Sequence, residues 1–163
     1  MKKTLGTLLS FFMIISFVAA CNSGSAINED EVLNLVKKYK TEQYTIQDPA
    51  DTPTPNEIAD KVKNYLSKEA LEKQQSNRIF VLAPDLSKKT NKSLKFEEIV
   101  LEKEKENEDG TIDYKYTLKL KLYDEQSSEI LEVDGQLTVS NEDGLVITRD
   151  WENKAVFEKY LFQ

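Results

Sequence analysis

From residue 94 onward, apolar and polar side chains alternate with a period of two, the signature of half-buried strands. The clearest run has Ile112, Tyr114, Tyr116, Leu118, Leu120 and Leu122 on one side and Asp113, Lys115, Thr117, Lys119 and Lys121 on the other. Leu131, Val133, Gly135, Leu137 and Val139 repeat the pattern, and residues 145–151 form a shorter run ending in Trp151. Residues 94–106 alternate in two phases. Leu94 and Phe96 lie on one, Ile99 and Leu101 on the other, so a β-bulge is expected near Glu97 and Glu98. Asp109-Gly110, residues 124–128 and Asn141-Glu142-Asp143-Gly144 read as the turns of an antiparallel meander with one wet face.

Before residue 76 the period is helical. Asn28 and Glu31 have capping-box spacing, and Val32, Leu35, Val36 and Tyr39 form a stripe that fades near Tyr44. Lys37, Lys38 and Lys40 stand toward the end of this helix, where the dipole favours cations. A proline-bearing linker over 47–55 leads to Thr54, Pro55 and Glu57, a second capping box, and then to one apolar stripe of Ile58, Val62, Tyr65, Leu66 and Leu71. One helix is therefore expected to about Gln75. Residues 78–83 read as a buried strand or packed loop, 84–93 as a polar loop, and 152–163 as containing a short helix. The fold class is α+β, with two N-terminal helices packed on a curved antiparallel sheet of four or more strands, cone-like.

The first 21 residues are of a different kind. Lys2 and Lys3 precede an apolar run of 16 residues from Leu5 to Ala20, the layout of an export signal and short of the ~20 residues a spanning helix needs. The run ends in Val18-Ala19-Ala20-Cys21, which resembles the lipobox of bacterial lipoproteins. The resemblance implies a diacylglycerol on the Cys21 sulfur, cleavage before it, and acylation of the new amino terminus. Two or three acyl chains anchor firmly at ~0.8 kcal/mol per buried methylene. The expected organisation is a signal peptide over 1–20, a lipidated tether over 21–28 and a single globular domain over 29–163. The tether's six residues 22–27 reach about 20 Å at most at ~3.3–3.6 Å per residue, so the domain should sit close to a membrane, on its extracytoplasmic face. The Lys-, Glu-, Asn- and Ile-rich composition points to a low-GC Gram-positive source.

Charge and missing residue types narrow the function. The chain has 22 basic and 29 acidic side chains, a formal net charge of −7, and loss of residues 1–20 would take it to −9. General electrostatic binding to nucleic acid is disfavoured. There is no histidine, and Cys21 is the single cysteine. Ser-His-Asp and Cys-His triads are therefore impossible within the chain, and zinc, copper and haem lose their usual ligands. No cofactor and no metal is expected. The acidic run over 102–110 lacks the spacing of a calcium loop and reads as a solvated hairpin tip. Carboxylate pairs such as Asp143 with Asp150, or Glu97 with Glu98, are not singled out by spacing, and no catalytic residue is named.

The element order over 29–151, with a tryptophan in the last strand, resembles the nuclear transport factor 2-like, or cystatin-like, cone fold. That family includes enzymes, transport factors and assembly components of secretion machines. Its enzymes usually place an Asp-His or similar acid/base group in the cone; this chain has no histidine, so that activity is not carried over. The leading expectation is a non-enzymatic module that binds or assembles with another envelope protein. The alternative is a small-ligand binder whose cone is lined by Tyr65, Tyr114, Tyr116 and Trp151. A carboxylate-dependent enzyme stands third.

Overall fold

The computed structural model describes residues 27–162. The expected signal peptide, Cys21 and most of the expected tether lie outside that range. The meander forms as the alternation requires. β1 (Ser93–Glu106), β2 (Ile112–Tyr123), β3 (Ser128–Ser140) and β4 (Val146–Glu152) make one antiparallel sheet in the order β1-β2-β3-β4. The six apolar positions of β2 and the five inward positions of β3 are all buried, and their partners across the strand stay wetter. The β1 register shifts between Phe96 and Glu98, where the change of phase predicts a bulge. A second shift follows between Lys103 and Lys105. Gly110 and Gly144 take φ of +81° and +106° in the two turns that need a left-handed residue.

α1 (Glu29–Tyr44) starts at Asn28, whose side chain accepts from Asp30 N–H, and lays Val32, Val36 and Tyr39 on the sheet. It runs antiparallel to β1. Its first turn borders Leu101, Lys103 and Tyr114, and Ile46, just past its end, exchanges two backbone hydrogen bonds with Leu94.

The second helical stretch is not one helix. α2 (Pro55–Val62) has the full Thr54–Glu57 capping box, but the helix ends at Val62 and α3 (Lys68–Ser76) begins afresh. Between them the backbone pairs with the free edge of β4. Tyr65 C=O accepts from Ile147 N–H and Ser67 N–H donates to Ile147 C=O, each at 2.9 Å. Leu66 is buried by this pairing, and the Ser67 hydroxyl caps α3 by accepting from Ala70 N–H. Two backbone bonds to the sheet and a new cap replace those the helix gives up.

Residues 78–93 also differ from expectation. A 3₁₀ turn (Ile79–Val81) leads into α4 (Leu82–Thr90). Pro84 sits in the first turn of α4, where a missing N–H costs nothing. Leu82 and Leu86 bury one face, and Asn91 ends the helix at φ +53°. α5 (Ala155–Leu161) confirms the short C-terminal helix, with Phe157 buried and stacked on Tyr44 at 5.7 Å.

Gly135 sits at a close approach between strands. A Cβ there would lie 2.3 Å from the Tyr116 ring and 2.5 Å from the Trp151 carbonyl oxygen. The Tyr116 ring therefore lies across the space a side chain would fill on its cross-strand partner. Gly135→Ala should lower unfolding free energy by about 1–3 kcal/mol, the usual range for overpacking, measured by urea denaturation. An unchanged midpoint would contradict this packing.

Candidate functional site

The most unusual chemistry lies under α1. Lys40 is i+4 from Val36 and i+8 from Val32, so the stripe that buries those valines carries its ammonium into the interior. Two acids meet it there because β4 has a bulge. Thr138 pairs with Arg149 but Val139 pairs with Ile147, so Thr148 is an extra residue. The bulge shifts the strand's phase, turning Asp150 and Glu152 inward and Trp151 outward. The side chains of Lys40, Asp150 and Glu152 are fully screened from solvent.

Lys40 Nζ donates to Asp150 Oδ2 at 2.6 Å, to Glu152 Oε1, and to Gln43 Oε1 at 3.4 Å. Tyr39 and Tyr116 donate their hydroxyls to the two Asp150 oxygens at 2.9 and 2.8 Å. Tyr44 donates to Glu152 Oε2, and Gln43 Nε2 donates to Oε1. Gln74 Nε2 donates to the Asp150 backbone oxygen at 2.7 Å, which ties in α3. The ammonium also lies 4.6 Å from the Tyr39 ring centroid and 4.9 Å from that of Tyr116, within cation–π range. One cation thus faces two carboxylates, and three phenols supply the remaining donors a buried acid pair requires.

These contacts fix where the protons sit. Burial lowers the Lys40 pKa, but Asp150 and Glu152 outweigh it and hold it above 10.5. Burial, then the neighbouring carboxylates, push the Tyr39, Tyr44 and Tyr116 hydroxyls well above 10.0. The four donors therefore hold their protons throughout the neutral range. Among the described residues no group of three or more carboxylates converges to hold a cation.

Of the four aromatics expected to line a cone, Tyr116 and Trp151 border one groove, and Tyr65 and Tyr114 lie elsewhere. Tyr116 is consumed by Asp150, and Tyr65 is half-buried on the segment paired to β4. Tyr114 is buried near the start of α1, its hydroxyl without a partner among the described residues. Trp151 is 56% exposed on the opposite face of the sheet, beside a groove of about 270 Å³ bordered by Val100, Lys115 and Gln136. Sequence reading missed the Lys40 cluster. The available signal was a lysine in phase with buried valines on α1.

The cluster sets an alkaline limit on stability. A group whose native pKa lies above its unfolded value contributes stability below the unfolded pKa and loses it as pH rises. Above about pH 10 the unfolded chain releases tyrosine and lysine protons that the native state keeps. Each such proton steepens the loss by about 1.4 kcal/mol per pH unit. Urea midpoints should therefore fall steeply between about pH 10 and 12, and Tyr44→Phe should make that fall shallower. A fall equally steep in Tyr44→Phe would contradict the proton assignment.

No protein-family model matches the sequence, and no curated protein matches it. Solved structures do resemble it in fold. The transfer protein TraH of the Gram-positive conjugative plasmid pIP501 aligns over 79% of this chain and 96% of its own, at 19% identity and a TM-score of 0.54. An IcmL-like type IV secretion system protein from Legionella pneumophila aligns over 78% and 94%, at 11% identity and a TM-score of 0.54. A periplasmic fragment of TraM aligns over 77% and 97%, at 12% identity and a TM-score of 0.47. The chain is therefore similar in fold to structures from conjugation and type IV secretion proteins, across nearly their whole determined length.

Proposed function

We propose that the chain is a lipoprotein, held by acyl chains on Cys21 at the extracytoplasmic face of a Gram-positive cell membrane. Its domain, a cone of the nuclear transport factor 2-like kind, acts there as a non-enzymatic binding or assembly module for another envelope protein. The observation that carries this reading is the fold shared with TraH and the IcmL-like protein, at a TM-score of 0.54 in each case. The lipobox-like Val18-Ala19-Ala20-Cys21 supports the anchor. The closed Lys40 cluster supports a non-enzymatic role, because its charged side chains have no route to a substrate. Among the described residues no helix is long and apolar enough to cross a membrane. A second reading keeps Tyr116 and Trp151 as a ligand site, on the groove they border together.

The test is made in living cells with an alkyne fatty acid and an amine-reactive crosslinker. The native chain should incorporate the fatty acid and form a defined adduct with an envelope protein. Cys21→Ala should lose the label and lower the adduct yield at least several-fold. An unlabelled native chain would refute the anchor, and the absence of any adduct would refute the assembly role.

A further inference from the structure

α4 and α5 pack side by side and leave a groove of about 790 Å³ between their exposed sides. Val81, Leu82 and Leu161 form its apolar floor, and Phe162 stands at its mouth, 82% exposed. This is the most exposed of the molecule's large apolar side chains among the described residues. The rim has the opposite charge balance to the chain as a whole. Arg78, Lys88, Lys89 and Lys154 border the groove against Asp85 and Glu158, in a protein of net charge −7. Arg78 and Lys88 have no salt-bridge partner among the described residues.

Arg78 is also placed against local preference. It follows the C-cap of α3 at φ +57°, where glycine is favoured and a side chain costs about 1–2 kcal/mol. The arginine there brings a guanidinium with no salt-bridge partner among the described residues to the rim of an apolar groove.

The groove's position bears on what fills it. α1 begins beside Lys103 and Tyr114 and ends where Tyr44 stacks on Phe157 of α5. The groove therefore lies at the far end of α1 from the point where the chain enters the domain. Sixteen residues of helix separate the two ends by about 24 Å. On the proposed tether at Cys21, this end of the domain lies farther from the attachment point than the start of α1, which favours a protein over the membrane surface as occupant.

The geometry points to the α4–α5 groove as the docking site for an acidic amphipathic segment of an envelope protein, its apolar side chains seated against Val81, Leu161 and Phe162 and its carboxylates against Arg78 and Lys88. The inference rests on the assembly role above and names its face and partner chemistry. An amphipathic helix presenting anchors at i, i+3/i+4 and i+7 is the matching shape.

The experiment places a photocrosslinking amino acid at Phe162 of the full chain in cells, with a second chain carrying it at Glu108 on the β1–β2 turn as control. The expected result is a protein adduct at position 162, absent at 108, whose crosslinked peptide is net acidic with apolar residues at helical spacing. Its yield should fall at least five-fold in Arg78→Gly and in Lys88→Glu. Arg78→Gly should retain or raise the thermal midpoint, so a misfolded chain cannot explain the loss. A phospholipid adduct, a self-adduct, a non-acidic peptide, or yields insensitive to Arg78 and Lys88 would each overturn the inference. If amine-reactive crosslinking captures a partner but position 162 does not, the docking site fails while the assembly role stands. If neither captures one, both fail.

Discussion

One buried lysine bridges the two layers of this domain. Lys40 comes from the helical layer, Asp150 and Glu152 come from β4, and no water reaches their side chains. A charge in that position is tolerable only when its partners are complete, because desolvating an ion costs several kcal/mol. The three phenols and Gln43 meet that requirement, and Gln74 adds a bond to the Asp150 backbone oxygen, so three elements converge on the cluster. Tyr39, Gln43 and Tyr44 belong to α1, Gln74 to α3, and Tyr116 to the centre of the sheet. Gly135 follows from the same constraint, since the Tyr116 ring must cross it to reach Asp150. The bulge at Thr148 follows as well, because without it Arg149 and Trp151 would take the inward positions.

A buried lysine between two acids, ringed by tyrosines, looks like catalytic machinery when written as a set of residue types. Its geometry argues for structure. The charged side chains are closed to solvent, and the phenols and the ammonium are driven to hold their protons. Such groups fix a packing arrangement, whereas acid–base catalysis needs a group poised near the working pH and in reach of substrate. On the surface, by contrast, an acidic chain carries a local cationic rim around exposed apolar side chains.

Much of the fold was legible in the sequence, for a physical reason. Where one face of a sheet is buried, every second residue must be apolar, and β2 obeys this along its length and β3 from Leu131 to Val139. The β1 bulge was visible because its phase change falls among large apolar residues. The β4 bulge was not, because too few apolar residues flank it to set a phase, and the acids it turns inward read as surface charge. The split between α2 and α3 was hidden for a related reason. Its cause is a hydrogen bond to a distant strand edge, and the apolar stripe runs through the break undisturbed. α4 was obscured by Pro84, whose tolerance depends on standing in the first turn, and by a largely polar remainder. The Lys40 cluster combined both difficulties, a charged residue on a core stripe and partners more than 100 positions away.

The most direct test of the central claim is a double-mutant cycle between Lys40 and Glu152, using Lys40→Met and Glu152→Leu in urea unfolding of the full chain. If the ion cluster couples α1 to β4, the two losses will be strongly non-additive, with a coupling energy of about 2 kcal/mol or more. Losses that add to within about 0.5 kcal/mol would show that the two residues act independently, and the cluster would not be what joins the layers.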